Sequence, residues 1–344
     1  MRLIWPATWI FVAAAVLTDC NTSTNSADVA TPRLTNPLPA AMLLPTHPDR
    51  RKSWVASDAA TAAQLLFVSD VGTYDVDIFA LPKMTLKGTL SGFDEPLGEC
   101  PDNRGNVWIT NYLKHELLEY SRGGTLLNKI ARAHLAPNSC AVNPVNGAIA
   151  VTDINGPEYQ PGEVLVYSKP SAAPVVLQNP VQASYYYVAY DPKGDLWVDG
   201  YDAVGHFILS KCSASRCSTV DLSGGSIFEG AAIAWDKLKR SWVVFDQYCR
   251  DTPSFCSYPV STRGVIGAPT FYLSYTGGGL CDLAQAALTT TGTRSIAVGA
   301  DNEYTCSSYK ANTIDAWAYP AGGTPLNYHA GTVIYPWGAA VSVK

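Results

Sequence analysis

Six oxygen-bearing side chains recur at the ends of six similar segments. They are Asp70 in LLFVSD, Asn111 in NVWITN, Asp153 in AIAVTD, Asp199 in DLWVDG, Asp246 in SWVVFD and Asp301 just beyond SIAVGA. Five carboxylates and an amide at one place could hold a hard cation such as Ca2+, which takes six to eight oxygen ligands. The same residue types also cap backbone amides at turns, and the sequence leaves both uses open. Glu99 in PLGEC and Glu229 in FEGAA add two further carboxylates. Beside them stand Tyr185, Tyr186 and Tyr187 in SYYYVAY and Trp337 in YPWG. Aromatic rings next to carboxylates suit sugars or apolar cations, and rings of this kind also pack between structural repeats. Nucleophilic and metal-hydrolase signatures are missing. His47, His115, His134, His206 and His329 form no H-E-x-x-H pair, and there is no G-x-S-x-G elbow. The Gly-rich YTGGGL at 275–280 precedes a strand pattern rather than a helix, so it does not read as a phosphate cradle.

The six segments are themselves a repeat. They start 41 to 54 residues apart, and each is a β-branched and aromatic run closed by a small or acidic residue. Before each run stands a short strand and a Gly, Pro, Asn or Asp turn, as in GECPDNRG and YVAYDPKG. After it comes a third strand, as in ELLEYSRGG and EVLVYSKPS, and then a fourth. A period of about forty residues with strands throughout predicts a β-propeller with six four-stranded blades. The first run, QLLFVSD, lacks a preceding strand, whereas the chain ends on YPWGAAVSVK, a preceding strand with nothing after it. Residues 338 to 343 are therefore expected to pair with 65 to 70 and close the ring, removing an open sheet edge. In such a ring the six recurring acids and amide meet at one mouth, which also receives the long connections DQYCRDTPSFCSYP and GADNEYTCSSYKAN.

Composition supports an exported all-β protein. Hydrophobic residues make up 47% and charged residues 15%, enough apolar side chain for a large core, and the net charge of −5 with no basic block in the repeats argues against nucleic acid. Arg2 followed by LIWPATWIFVAAAVLT reads as a signal peptide over residues 1–20. Cys20 follows it directly, so it is a candidate for lipidation and a membrane tether. Asp19 departs from the usual small residue at that position, and cleavage with release, or an uncleaved anchor, are the alternatives. Residues 21–63, rich in Ser, Thr, Asn, Ala and Pro, read as a linker, and 64–344 as the propeller. Eight cysteines remain, an even set that in an exported chain implies disulfides. Spacing predicts Cys212–Cys217 and Cys249–Cys256, and placement in the repeats predicts Cys281–Cys306 and Cys100–Cys140.

The motifs resemble NHL-type repeats. EPLGECPDNRGNVWITN through LLEYSRGG follows that repeat, YPWGAAVSV follows its opening, and the resemblance spans about residues 64 to 344. It extends to exported bacterial propellers with phrases like LLFVSDVGT, GECPD and YPAGG. More distantly it extends to gluconolactonase and regucalcin propellers, which bind a divalent metal in the channel. Repeats four and five depart from the motif at AWDKLKRS and CDLAQAALTTTGTRS. The resemblance implies a monomeric extracytoplasmic binding or scaffold module for a protein or carbohydrate ligand. Its alternative is a lactonase-like metal-dependent hydrolase or lyase, whose metal set would be drawn from Glu99, Asn143, Asp246 and Asp301.

Overall fold

The computed structural model describes residues 52–155, 161–249, 254–274, 282–302 and 312–344. Cys20, the signal peptide and the linker up to residue 51 lie outside the described residues, as do Cys281 and Cys306. Six antiparallel sheets follow one another around a ring. From the inside outward, blade two is Pro96–Pro101, Val107–Asn111, Glu116–Tyr120 and Leu126–Ala131. Blades three to six repeat this order, with inner strands Pro137–Val142, Ser184–Tyr190, Gly230–Asp236 and Leu283–Thr291. The six runs identified from sequence are the second strands, each within a residue or two of its expected limits.

Blade one is closed by the chain's end. Ala340–Val343 is its inner strand, with Gln64 opposite Val343 and Phe67 opposite Ala340, and an isolated bridge joins Asp70 to Pro336. The closure is shifted by a residue or two from the expected register and involves the expected segments. Residues 54 to 61, read from sequence as the end of the linker, are part of this blade. Trp54–Val55 adds a fifth, outermost strand opposite Thr89 and Gly88, and a 3-10 turn at Ala59–Thr61 buries Ala59 before the chain enters Gln64–Asp70. The two-residue strand is too short to show alternation, so only its pairing reveals it.

Apolar residues of neighbouring blades interleave to form the core. Trp197 of blade four meets Trp242 of blade five at 4.9 Å between ring centroids, and Phe245, Phe255, Phe271 and Trp317 fill the gap between blades five and six. Each fully buried side chain of this size contributes about 1.5–3 kcal/mol. Near the axis the inner strands approach so closely that a Cβ at Gly338 would collide with the Leu97 carbonyl oxygen. A disulfide between Cys100 and Cys140, with Cα atoms 5.6 Å apart, links the inner strands of blades two and three. Cys212–Cys217 pairs across the two outer strands of blade four, and Cys249–Cys256 staples the long loop of blade five. Three of the four expected bridges are thus present, and the fourth falls outside the described residues.

One buried arginine clasps the closing strand. Arg122, on the turn after the third strand of blade two, donates from Nη1 to Ser342 O at 2.8 Å and Ser342 Oγ at 2.6 Å, and from Nη2 to Ala62 O. Both ends of blade one are therefore tied to blade two by one guanidinium. Replacing Arg122 by Met keeps the aliphatic stem but strands these acceptors, and should cost about 2–3 kcal/mol in urea denaturation. Deleting residues 337–344 should abolish the cooperative transition, and a truncated protein that melts normally would contradict closure by this strand.

Candidate functional site

The strand-end residues do come to one mouth, and there five of the six accept a hydrogen bond from the backbone that leads into an inner strand. Asp70 accepts from Ile334 N at 2.7 Å and Tyr335 N at 2.8 Å, and Asn111 from Asp94 N at 2.7 Å. Asp153 accepts from Ala136 N at 3.0 Å, and Asp282 N reaches Asp301 at 3.2 Å. Asp199 departs from this pattern: Gly200 holds the cap position of blade four, and Asp199, one residue earlier at the level of Thr110 and Thr152, accepts from Tyr187 N within the inner strand at 2.8 Å. Asp246 uses both oxygens, on Phe228 N and Glu229 N at 2.9 Å, and also takes Tyr248 N. All six side chains are buried. Each gives at least one oxygen to a backbone amide, and Asp199 keeps its Oδ2 buried without a partner, so the set acts as backbone ties rather than as six free ligands. In blades one to three a hydroxyl precedes the cap, and Ser69, Thr110 and Thr152 bond the inner-strand carbonyls of Leu97, Gly98 and Ser139.

The residues that the capped backbone carries just before the inner strand form a second ring. Glu95, Glu229 and Asp282 occupy equivalent repeat positions, because the carbonyl of each accepts from the residue that follows the cap: Tyr112 N, Gln247 N and Asn302 N. All three side chains are half-buried. No Lys or Arg pairs with them among the described residues. Burial and then the neighbouring Asp94 push Glu95 up to about 7, and burial with the Glu229 charge pushes Asp282 up to about 7. Burial, then Asp246, raises Glu229. Around these acids stand Tyr186, Tyr201 and Tyr248. The Glu229 charge raises all three after the effect of burial, and Tyr186 also feels Tyr112 of blade two across the mouth. The Tyr186 ring meets Tyr201 edge-on at 5.5 Å.

Below this ring the inner strands are knit together by polar side chains. Gln285 of blade six accepts from Glu99 N and Ala339 N, each at 3.1 Å, and returns its Nε2 to Glu99 O at 3.1 Å. It thus spans three blades. Asn138 Nδ2 donates to Tyr186 O at 2.7 Å. Glu99 is only 2% exposed, and neither carboxyl oxygen has a hydrogen bond of good geometry. Burial raises it well above the ordinary carboxylate range, with the neighbouring Ser69 opposing weakly. Burial thus favours the protonated carboxyl of Glu99 over its charged form.

Several nominated residues fall elsewhere. Asn143 lies past the far end of its inner strand, because Val142 pairs with Ile149 while Pro137 pairs with Asp153. About 20 Å of strand therefore separate it from the mouth, and its Oδ1 caps Val145 N at 2.9 Å. Glu99, Asn143, Asp246 and Asp301 consequently do not form a common site, and among the described residues no three His, Cys, Asp or Glu come together as metal ligands. The described residues do not fit the implied divalent cation. Of the three consecutive tyrosines, Tyr185 and Tyr187 pack between blades and Tyr186 alone stands at the mouth. Trp337 sits at the mouth of blade one, 5.9 Å from Tyr335 and packed with it against Val71 and Leu97. Parts of both long mouth loops lie outside the described residues.

No protein-family model and no curated protein matches the sequence. Solved structures do match. The first is from a crystal structure of a nidogen/laminin complex, with TM-score 0.61 and 13% identity, covering 81% of this chain and 98% of that one. A protein of unknown function from Bacteroides caccae gives TM-score 0.58 and 14% identity over 82% and 100%. A functionally unknown protein from Desulfotomaculum acetoxidans gives TM-score 0.56 and 10% identity over 81% and 99%. The chain is a six-bladed β-propeller. At these identities the likeness establishes the fold, and a fold hosts many functions.

The buried acids make stability depend on pH. Burial raises Asp153 to about 6, and Asp199 and Asp315 to about 7. Each holds its proton more tightly folded than unfolded. Their stabilising contribution is complete below the ordinary values of 3.8 to 4.5 and is lost as pH rises to about 7. Scanning calorimetry should therefore give a higher Tm at pH 5 than at pH 8. Glu99→Gln should raise Tm at pH 8 and leave it nearly unchanged at pH 5. A Tm that climbs from pH 5 to pH 8 would contradict this electrostatic reading.

Proposed function

We propose that this propeller is an extracytoplasmic binding module that takes a hydroxyl-rich ligand, a carbohydrate, at the mouth bearing Glu229, Asp282 and Tyr186. The observation that carries the proposal is the second ring. Glu95, Glu229 and Asp282 are half-buried acids without an ion-pair partner among the described residues, whereas Asp70, Asp153, Asp246 and Asp301 are engaged by backbone amides. Carboxylates accept hydrogen bonds from sugar hydroxyls, and tyrosine rings cover their apolar faces. A partner that presents Lys or Arg would use the same acids, and pH separates the two: a cationic partner binds more tightly from pH 6 to pH 8 as Asp282 ionises. The disulfides fit an oxidising compartment. Export through the N-terminal segment, with Cys20 as lipid anchor, is part of the same proposal.

Screening a glycan library by binding and thermal shift tests this directly. For a ligand so found, Glu229→Gln and Tyr186→Ala should each weaken binding about tenfold to a hundredfold, the equivalent of one or two lost hydrogen bonds or ring contacts. The Tm of Glu229→Gln without ligand should not fall, because the variant removes a partly buried charge. Glycan binding that survives both substitutions would overturn the site.

A further inference from the structure

On the opposite side of the ring, where blade six meets blade one, lies a groove of about 940 Å³. Two ties across this seam bound it. Gln64 Nε2 donates to Thr289 Oγ1 at 3.1 Å and Thr290 O at 2.7 Å, and Asn327 Nδ2 donates to Pro82 O at 2.8 Å. Side-chain size explains why the space between them is open. Trp197 and Trp242 fill the blade four to five interface, and Trp317 with Phe245, Phe255 and Phe271 fills that between five and six. The core between blades six and one has Phe79, with the smaller His329 ring against it at 4.7 Å, among Val, Ile, Leu, Met and Ala. Leu81 and Pro82 of blade one and Ile296, Ala316 and Leu326 of blade six form the walls. Leu326 is 53% exposed, an apolar side chain left facing water.

The charged side chains that line this groove are of one sign. Arg294 and Lys344 line it and are exposed, and no Asp or Glu is among the lining residues. Neither cation forms an ion pair with a described residue. This contrasts with the mouth, where Glu95, Glu229 and Asp282 have no Lys or Arg partner among the described residues. We infer that the seam groove binds a small amphipathic anion, with an apolar body against Leu81, Pro82, Ile296 and Leu326 and a carboxylate against Arg294 and Lys344. A guanidinium fork matches a carboxylate bidentately, and the volume lies at the upper end of the range of about 300–1,000 Å³ for small-molecule sites. Because its walls come from the first and last blades, an occupant would hold the ring closed and raise the unfolding temperature by mass action.

Decanoate, decanol and decyltrimethylammonium, titrated calorimetrically into the full chain, separate the contributions of chain and charge. One decanoate should bind, with decanol about tenfold weaker and the cation not at all, and decanoate should raise Tm. Arg294→Glu and Leu326→Asp, both at exposed positions, should each weaken decanoate about tenfold or more while the unliganded Tm stays put. Glu229→Gln should leave decanoate binding intact, which keeps this site distinct from the mouth. Equal affinity for decanoate and decanol, retention of binding in Arg294→Glu, loss of binding in Glu229→Gln, or no binding would each overturn the inference.

Discussion

Five of the six blades depend on one hydrogen-bonding device: a carboxylate or amide at the end of the second strand accepts from the backbone that enters its inner strand. A β-propeller needs six chain segments to turn inward at the same height, and each turn exposes amides with no partner in the sheet. Leaving such a donor buried and unmet costs about 1–3 kcal/mol. Asp70, Asn111, Asp153, Asp246 and Asp301 meet that need in five repeats, while in blade four Asp199 sits one residue earlier and holds Tyr187 N inside the inner strand. The cost is a ring of buried carboxyls, most of them pushed upward by desolvation.

The caps also fix what the mouth can present. Holding the entering backbone in place puts the residue before each inner strand at the rim, and in blades two, five and six that residue is acidic. The acids left for a ligand are therefore a consequence of the acids that cap. The hydroxyl layer of Ser69, Thr110 and Thr152 and the amide of Gln285 then tie neighbouring inner strands, so the floor beneath the rim is rigid. At the other end of the barrel Arg122 performs the comparable task for the closing strand, holding Ser342 and Ala62 to blade two.

Much of this was legible in the sequence, because a repeat states its architecture many times. The spacing of LLFVSD and its echoes locates six second strands, and the unmatched ends at QLLFVSD and YPWGAAVSVK locate the closure. Local cysteine spacing located two bridges, and placement in the repeats a third. The role of the recurring acids was ambiguous because the same side chain suits a cation and a backbone amide, and only the hydrogen-bond partners decide. Asn143 was misplaced since a residue seven positions along a strand sits at the opposite mouth. Glu95 and Asp282 were missed although a signal existed: aligning the repeats on their inner strands puts both beside Glu229. Nothing in EYSRGG marks Arg122, and nothing in CDLAQAA marks Gln285, because both act on partners distant in the chain.

The most direct measurement is urea denaturation of Asp246→Ala, where one side chain serves three amides at 2.9 to 3.0 Å. The account predicts a cooperative transition displaced by about 2–4 kcal/mol, reflecting three amides left without their acceptor. A variant as stable as the parent would contradict it, for the strand-end acids would then not be what holds the mouth together.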